Sequence, residues 1–343
     1  MLGRWRGLAG SLIGIVACCC GGSPLTIDGG SDGGDGVDSA MDTPPGDNSS
    51  CTRLPATCGA NANDSCCSSP EVAGGMYLRS YDAAGSGTMS FPAMISTFRF
   101  DRYEITVGRF RAFVQAGQGT QDTPPAAAAG EHPNLTGSGW NASWGAKLVA
   151  TTAALVAAVK CDAVFQTWTD APAGNETRPI NCITWYEAMA FCIWDGGFLA
   201  SEAEWNYAAA GGAEQRAYPW SSPASSLSID DTRTSYLDGG SCVGDGMPAC
   251  TLTDLIAVGT KPAGDGLWTH ADLAGNVQEW GFDYGNAYQL PCVDCASLDV
   301  ADVRVVRGGN FRTAATSART GRRGSLPPEN RYPDVGARCA RSR

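Results

Sequence analysis

Twelve cysteines spread between Cys51 and Cys339 constrain this chain more than any other feature. They are Cys51, Cys58, Cys66, Cys67, Cys161, Cys182, Cys192, Cys242, Cys250, Cys292, Cys295 and Cys339. An even set in an exported chain is most simply a set of disulfides. Cys292-Val-Asp-Cys295 also has the spacing of a redox or zinc CxxC. Zinc would need a second pair at matching spacing or histidines, and a thioredoxin-like motif would need a βαβ context; neither is visible, so a disulfide is the first reading. Cys51, Cys58, Cys66 and Cys67 sit among Pro, Asn and Ser and predict a small stapled knot, with pairing that the spacing leaves open.

The N-terminus supports export. Arg4 and Arg6 precede an apolar stretch from Gly7 to Ala17 that is too short to span a bilayer, and Cys18-Cys19-Cys20 follow. Ile15-Val16-Ala17-Cys18 resembles the bacterial lipobox, so Cys18 is the expected lipidation site after cleavage of residues 1–17. Residues 18–50 read as an acidic Gly/Ser/Asp-rich tether that cannot offset its ordering entropy by burial. A Cys-rich lead-in covers 51–69 and the folded domain 70–343. The whole chain carries 24 basic and 35 acidic residues, a net charge of -11. Cleavage removes two Arg and no acid, so the processed chain is more acidic still, and attachment to an anionic membrane would have to come from the lipid. With so little positive charge, no nucleic-acid partner is expected. The two histidines, His132 and His270, are far apart in sequence, which disfavours most His-based metal sites and triads.

Along the folded part, Ser90 to Tyr103 predicts extended segments. Thr106 predicts the cap of a helix running through Val114, with Val107, Phe110, Phe113 and Val114 on one face. Leu148 to Val159 is a further helix candidate within an otherwise irregular stretch. Thr184-Trp-Tyr-Glu187 and Ser201-Glu-Ala-Glu204 are capping boxes that open helices ended by Gly196-Gly197 and Gly211-Gly212. Short strands such as Arg304–Arg307 lie between Gly-containing turns. The expected fold class is α+β, irregular and loop-rich. There is no Walker loop, no GxGxxG after a strand, no GxSxG elbow and no HExxH helix.

Several strings, in one order, resemble the formylglycine-generating enzyme family, also called sulfatase-modifying factor domains. They are Phe100-Asp-Arg-Tyr-Glu-Ile-Thr106, Arg178-Pro-Ile-Asn-Cys-Ile-Thr-Trp-Tyr-Glu-Ala188, Phe198-Leu-Ala-Ser-Glu-Ala-Glu-Trp-Asn-Tyr-Ala208, Tyr218-Pro-Trp220, Asp272-Leu-Ala-Gly-Asn-Val-Gln-Glu-Trp280, Arg304-Val-Val-Arg-Gly-Gly-Asn-Phe311 and Val335-Gly-Ala-Arg-Cys-Ala340. The resemblance covers roughly residues 70 to 341 and implies the family's variant of the C-type-lectin-like fold. It also implies a Cys192 to Cys339 disulfide and a structural calcium loop. In that loop Asp272 and Glu279 would supply side-chain oxygens, and Gly275 and Val277 backbone carbonyls. Oxygen donors bracketing a Gly-containing turn suit a hard cation.

The chain departs from the family at its copper site. Active members carry a C-x4-C pair after the Arg-Gly-Gly turn, because soft thiolates suit copper(I), and the pair serves oxygen activation and conversion of a substrate cysteine to formylglycine. Here the two cysteine positions fall on Thr313 and Ala318, the histidine position on Ala314, and the turn serine on Asn310. No cysteine lies between Cys295 and Cys339, so no shift of register restores the pair, and copper is not expected. Asn310, Arg312, Thr313, Arg319 and Arg322, together with Arg323, lie on the segment that lines the substrate groove in relatives. Arg forks suit carboxylate, sulfate or phosphate; the alternative is that they pair with acids of the fold.

The first functional reading is a monomeric, lipid-anchored accessory module at the outer membrane or cell surface, binding a peptide, a glycan or another envelope protein. The second is a formylglycine-generating oxidase acting on an exported sulfatase. The third is a redox role for Cys292 and Cys295.

Overall fold

The computed structural model describes Gly3 and residues 50–343 except Arg53. The expected signal peptide apart from Gly3, the expected lipidation site Cys18 and all of the expected tether but Ser50 lie outside the described residues. In chain order the regular elements begin with β1 (Glu71–Val72), β2 (Gly75–Leu78), β3 (Pro92–Ile95), β4 (Phe98–Phe100), α1 (Val107–Gln115), α2 (Thr152–Ala158), α3 (Trp185–Trp194), β5 (Phe198–Leu199) and α4 (Glu202–Ala209). They continue with β6 (Leu237–Asp238), β7 (Ser241–Cys242), β8 (Gln278–Tyr284), β9 (Arg304–Arg307), β10 (Gly324–Leu326), β11 (Val335–Gly336) and β12 (Cys339–Arg341). Short 3-10 turns and long loops make up the rest.

Two four-stranded sheets organise these pieces. One has the order β1-β4-β12-β5, with Ala340 opposite Phe100 on one side and Phe198 on the other. The second runs β10-β9-β8-β11, antiparallel except for the parallel β8–β11 pair. Hairpins β2–β3 and β6–β7 complete the set.

The helices start where their caps lie. Thr106 accepts from the Arg109 N–H, and both capping boxes close, Thr184 with Glu187 and Ser201 with Glu204. α3 is buried from Trp185 to Cys192, as expected of a helix that is apolar all round. The helix expected over 148–159 is shorter. Thr151 takes the cap of α2, while Thr120 and Val149 form an isolated parallel bridge and the Gln121 N–H donates to the Val149 carbonyl.

All twelve described cysteines are paired, as Cys51–Cys67, Cys58–Cys66, Cys161–Cys182, Cys192–Cys339, Cys242–Cys250 and Cys292–Cys295. Cys192–Cys339 ties α3 to β12 inside the main apolar cluster. The Cys-rich lead-in packs directly on the domain. Buried Arg109 donates to Ser50 Oγ at 3.1 Å and to the Cys66 carbonyl at 3.2 Å, while Asp101 and Asp195 neutralise it at 2.9 and 2.7 Å. Burial opposes its charge, and those two carboxylates more than compensate. No helix among the described residues is long and apolar enough to cross a membrane. Six disulfides fit a chain that folds in an oxidising compartment outside the cytoplasm.

Candidate functional site

The loop running into β8 places the expected calcium residues together. Asp272 and Asn276 adopt positive φ, 57° and 54°, and Gly275 adopts 81°. A side chain at Gly275 would run into the Ser235 carbonyl and Thr234 Oγ1, so only glycine fits this turn. Asn276 accepts from the Ile256 N–H at 3.1 Å and donates to Glu104 Oε2 at 2.8 Å, and the Val277 N–H donates to Glu104 Oε1 at 3.2 Å. Asp272 Oδ2 accepts from the Gly259 N–H at 2.6 Å. Glu279 accepts from Arg338 through Nε and Nη2, at 2.6 to 2.9 Å, and from Trp205 Nε1 at 2.7 Å.

Three buried carboxylates, Glu104, Asp272 and Glu279, therefore face the single guanidinium of Arg338. Burial pushes the Asp272 carboxyl up to about 6. Burial, with the charges of Asp272 and Glu279, pushes Glu104 well above the usual carboxylate range. The surplus of buried negative charge suits a dication. Glu279, however, is already saturated by Arg338 and Trp205, and among the described residues no group of three His, Cys, Asp or Glu is arranged to hold a metal. A cation here would rely on the Asp272 side chain and the Gly275 and Val277 carbonyls.

Beyond β9 the Gly308-Gly309 turn, at φ 95° and 66°, packs tightly. A Cβ at Gly308 would sit 3.2 Å from the Trp205 ring, and one at Gly309 would sit 3.0 Å from the Ala318 nitrogen. Thr313 Oγ1 is turned back onto the turn, accepting from the Asn310 N–H at 2.8 Å and donating to the Asn310 carbonyl at 3.0 Å. Ala318 is buried with Ala274 against the stacked rings of Tyr218 and Trp220. With every described cysteine in a disulfide, this site presents no thiolate, and its residues do not fit copper(I).

The arginines of this segment mostly pair within the fold. Arg312 reaches Asp334 at 2.9 Å and lies over the Phe165 ring, Arg319 pairs with buried Asp82, and Arg323 meets Glu202 at 2.8 Å. Arg322 is exposed, with its backbone carbonyl accepting from Arg307. The structure thus realises the alternative for Arg312, Arg319 and Arg323, and leaves Arg322 as the cation of the set that faces solvent.

Two features escaped the sequence reading. Glu202 is clamped by Arg307, at 2.8 Å, and by Arg323, and accepts from the Tyr288 hydroxyl at 2.7 Å. Burial alone would raise its carboxyl, but the two guanidinium charges hold it below its ordinary value. Partners 105 and 121 residues away leave no local signal. The second is a cavity of about 780 Å³ beside α1, lined by Leu54, Pro55, Gly108, Arg111, Glu176 and Trp194 among others and by none of the expected site residues.

This disulfide-braced α+β frame, with a glycine-built turn before β8 and a second after β9, defines a class of protein that comparison with known proteins identifies. Residues 61–343 match the family described as "Sulfatase-modifying factor enzyme 1-like domain", and the chain belongs to that family. It is 28% identical to a formylglycine-generating enzyme of Thermomonospora curvata over 267 residues, 72% of this chain and 82% of that one. It is 30% identical over 178 residues to a formylglycine-generating enzyme of Streptomyces coelicolor, covering 49% of this chain and 54% of that protein. The "Inactive C-alpha-formylglycine-generating enzyme 2" of Bos taurus is 30% identical over 172 residues, covering 47% of this chain and 50% of that one. The chain thus spans about half the length of the latter two relatives. The solved structure of PvdO from Pseudomonas aeruginosa shares the fold, with a TM-score of 0.53 at 16% identity over 80% of this chain and 93% of that one.

Proposed function

We propose that this chain is an envelope lipoprotein, held by Cys18, whose sulfatase-modifying-factor domain is a non-catalytic binding or accessory module. One observation carries the reading. The positions that supply copper thiolates in active relatives are Thr313, tied to its own turn, and Ala318, sealed beneath Tyr218 and Trp220. The naming of two mammalian relatives as inactive supports it. The expected ligand is a peptide, a glycan or an envelope protein, met by a monomer. Arg322 is the exposed cation available to an anionic group.

The test is to incubate the purified protein with copper(I), oxygen and a CxPxR peptide beside an active family member, and to read the peptide by mass spectrometry. No aldehyde is expected. Conversion of the peptide thiol would overturn the reading and establish the oxidase.

A structural calcium ion belongs to the same proposal, held by Asp272 and the carbonyls of Gly275 and Val277, with Glu279 released from part of its hydrogen bonding. It would offset the carboxylate surplus around Arg338 and carry no chemistry. Millimolar calcium is expected to raise the melting temperature relative to EDTA. Identical melting in both would remove the ion from the account and leave Arg338 as the closure of this turn.

A further inference from the structure

We infer that Cys292–Cys295 is a thiol–disulfide exchange site, with Cys295 as the sulfur that meets the partner and an extended, dithiol-bearing peptide as the substrate class. Its surroundings differ from those of a purely structural bridge. Arg79 Nη1 donates to Cys295 Sγ at 3.2 Å, while its Nη2 is fixed on the Gln289 carbonyl at 2.7 Å and its guanidinium lies over the Tyr288 ring. A cation fixed against a sulfur favours that sulfur as thiolate, the form that departs and attacks in exchange. Cys295 is partly exposed and lines a cavity of about 90 Å³ with Arg79, Tyr288 and Arg323, whereas Cys292 is 4% exposed.

The loop is also held without its disulfide. Met94 N–H donates to the Cys292 carbonyl and Asp294 N–H to the Met94 carbonyl, each at 3.0 Å. The buried Asp294 side chain accepts from Ser96 N–H and Ser96 Oγ at 2.6 Å and from Asn134 Nδ2 at 3.0 Å. Opening the bond therefore leaves the backbone anchored to β3.

Loop length acts in the same direction. The native fold favours a disulfide by as much as the disulfide favours the fold, and that stabilisation grows with loop size. Here the separation is 3 residues, against 8 to 147 for the other five bridges. Folding thus protects this bond least.

The rim fits a peptide. Met76 and Met94 are cross-strand neighbours, 61% and 47% exposed, and Val293, bridged to Met94, is 62% exposed. These three exposed apolar side chains lie on adjoining extended segments, and Val293 stands between the two cysteines in the chain. Such a strip takes the side chains of an extended segment better than a small hydrophilic thiol.

In the exchange, a thiolate of the partner attacks Cys295 Sγ. A partner-to-Cys295 bond forms, the Cys292–Cys295 bond breaks, and the electron pair departs on Cys292 Sγ, which takes up a proton. The partner's second thiolate then attacks its own sulfur in the mixed disulfide and releases Cys295 as a thiolate beside Arg79. The partner dithiol is oxidised by two electrons and the Cys292–Cys295 pair is reduced by two.

The test equilibrates the purified, fully oxidised protein in stepped ratios of reduced to oxidised dithiothreitol, traps thiols by alkylation and reads all six pairs by mass spectrometry. Cys292–Cys295 is expected to open at a ratio at least tenfold lower than any other pair. Arg79→Gln is expected to raise that ratio at least threefold without moving the others. A reduced peptide carrying two cysteines among apolar residues is expected to be oxidised faster than glutathione at equal thiol concentration, and Val293→Asp to slow the peptide alone. Opening of Cys292–Cys295 together with or after the other pairs overturns the proposal, and that comparison decides it if Arg79→Gln does not fold. An unmoved ratio in a folded Arg79→Gln removes Arg79 from it, and equal peptide and glutathione rates replace the peptide with a small thiol.

Discussion

Removing the Cys192–Cys339 bridge tests how this domain is held closed. The two residues are 147 apart in sequence and both are fully buried. A loop of that size gives a chain-entropy contribution of about 5 kcal/mol, whereas the 8-residue separation of Cys242–Cys250 gives about 2.5 kcal/mol. The double replacements Cys192→Ala/Cys339→Ala and Cys242→Ala/Cys250→Ala are compared by guanidinium unfolding, read through the fluorescence of the buried tryptophans such as Trp140, Trp185, Trp205 and Trp280. The first is expected to lose about twice as much unfolding free energy as the second. Both replacements also remove sulfur from an apolar cluster, so packing losses of the same sign accompany each and the difference between them reads loop closure. Equal losses, or a larger loss for Cys242–Cys250, would refute the argument that loop closure governs the contribution of each bridge.

Glu202→Gln leaves Arg307 buried without its counter-charge and is expected to cost about 3 to 5 kcal/mol, measured by denaturant unfolding. Because Arg307 and Arg323 hold the folded carboxyl of Glu202 below its unfolded value, its contribution is complete above the unfolded pKa and is lost as pH falls through the folded one; melting curves of wild type and variant should converge in acid. Asp283 behaves oppositely. Burial first, and then the charge of Glu202, pushes it up to about 7, so the folded state holds an extra proton and stability declines as pH rises from about 4 to about 7. Asp283→Asn is expected to flatten that part of the melting profile, and an unchanged slope would remove the assignment. Arg322→Ala is expected to change stability by less than about 0.5 kcal/mol, while Arg319→Ala, which strands buried Asp82, costs more; thermal melts of the two separate them.

The parts legible in the sequence were those whose cause is local. Thr106, Thr184 and Ser201 each sit one residue before the helix they cap, and Glu187 and Glu204 complete their boxes three residues later. The Arg304–Arg307 strand and the extended pieces between Ser90 and Tyr103 follow from apolar and aromatic content between turn residues. The Cys192–Cys339 pair was reached through family resemblance, since no local rule joins residues so far apart. The knot shows the limit of spacing. Cys66 and Cys67 are adjacent, yet one reaches Cys58 and its neighbour Cys51. The arginine segment shows it for the site. From sequence Arg319 and Arg323 could serve an anion or pair with acids of the fold, and the partners that decide it, Asp82 and Glu202, come from distant segments. Thr313 and Ala318 needed no structure to exclude thiolates, because chemistry was absent at the level of residue type.

The central position of β12 bears on how the protein is made. Its partner β4 is synthesised some 240 residues earlier, as the Asp101 to Arg341 contact shows. At typical rates of synthesis β4 waits roughly 12 to 48 s before that partner emerges. During that interval Phe98 and Phe100 have no strand to cover that edge. The four-stranded sheet therefore cannot close until its C-terminal strand is available.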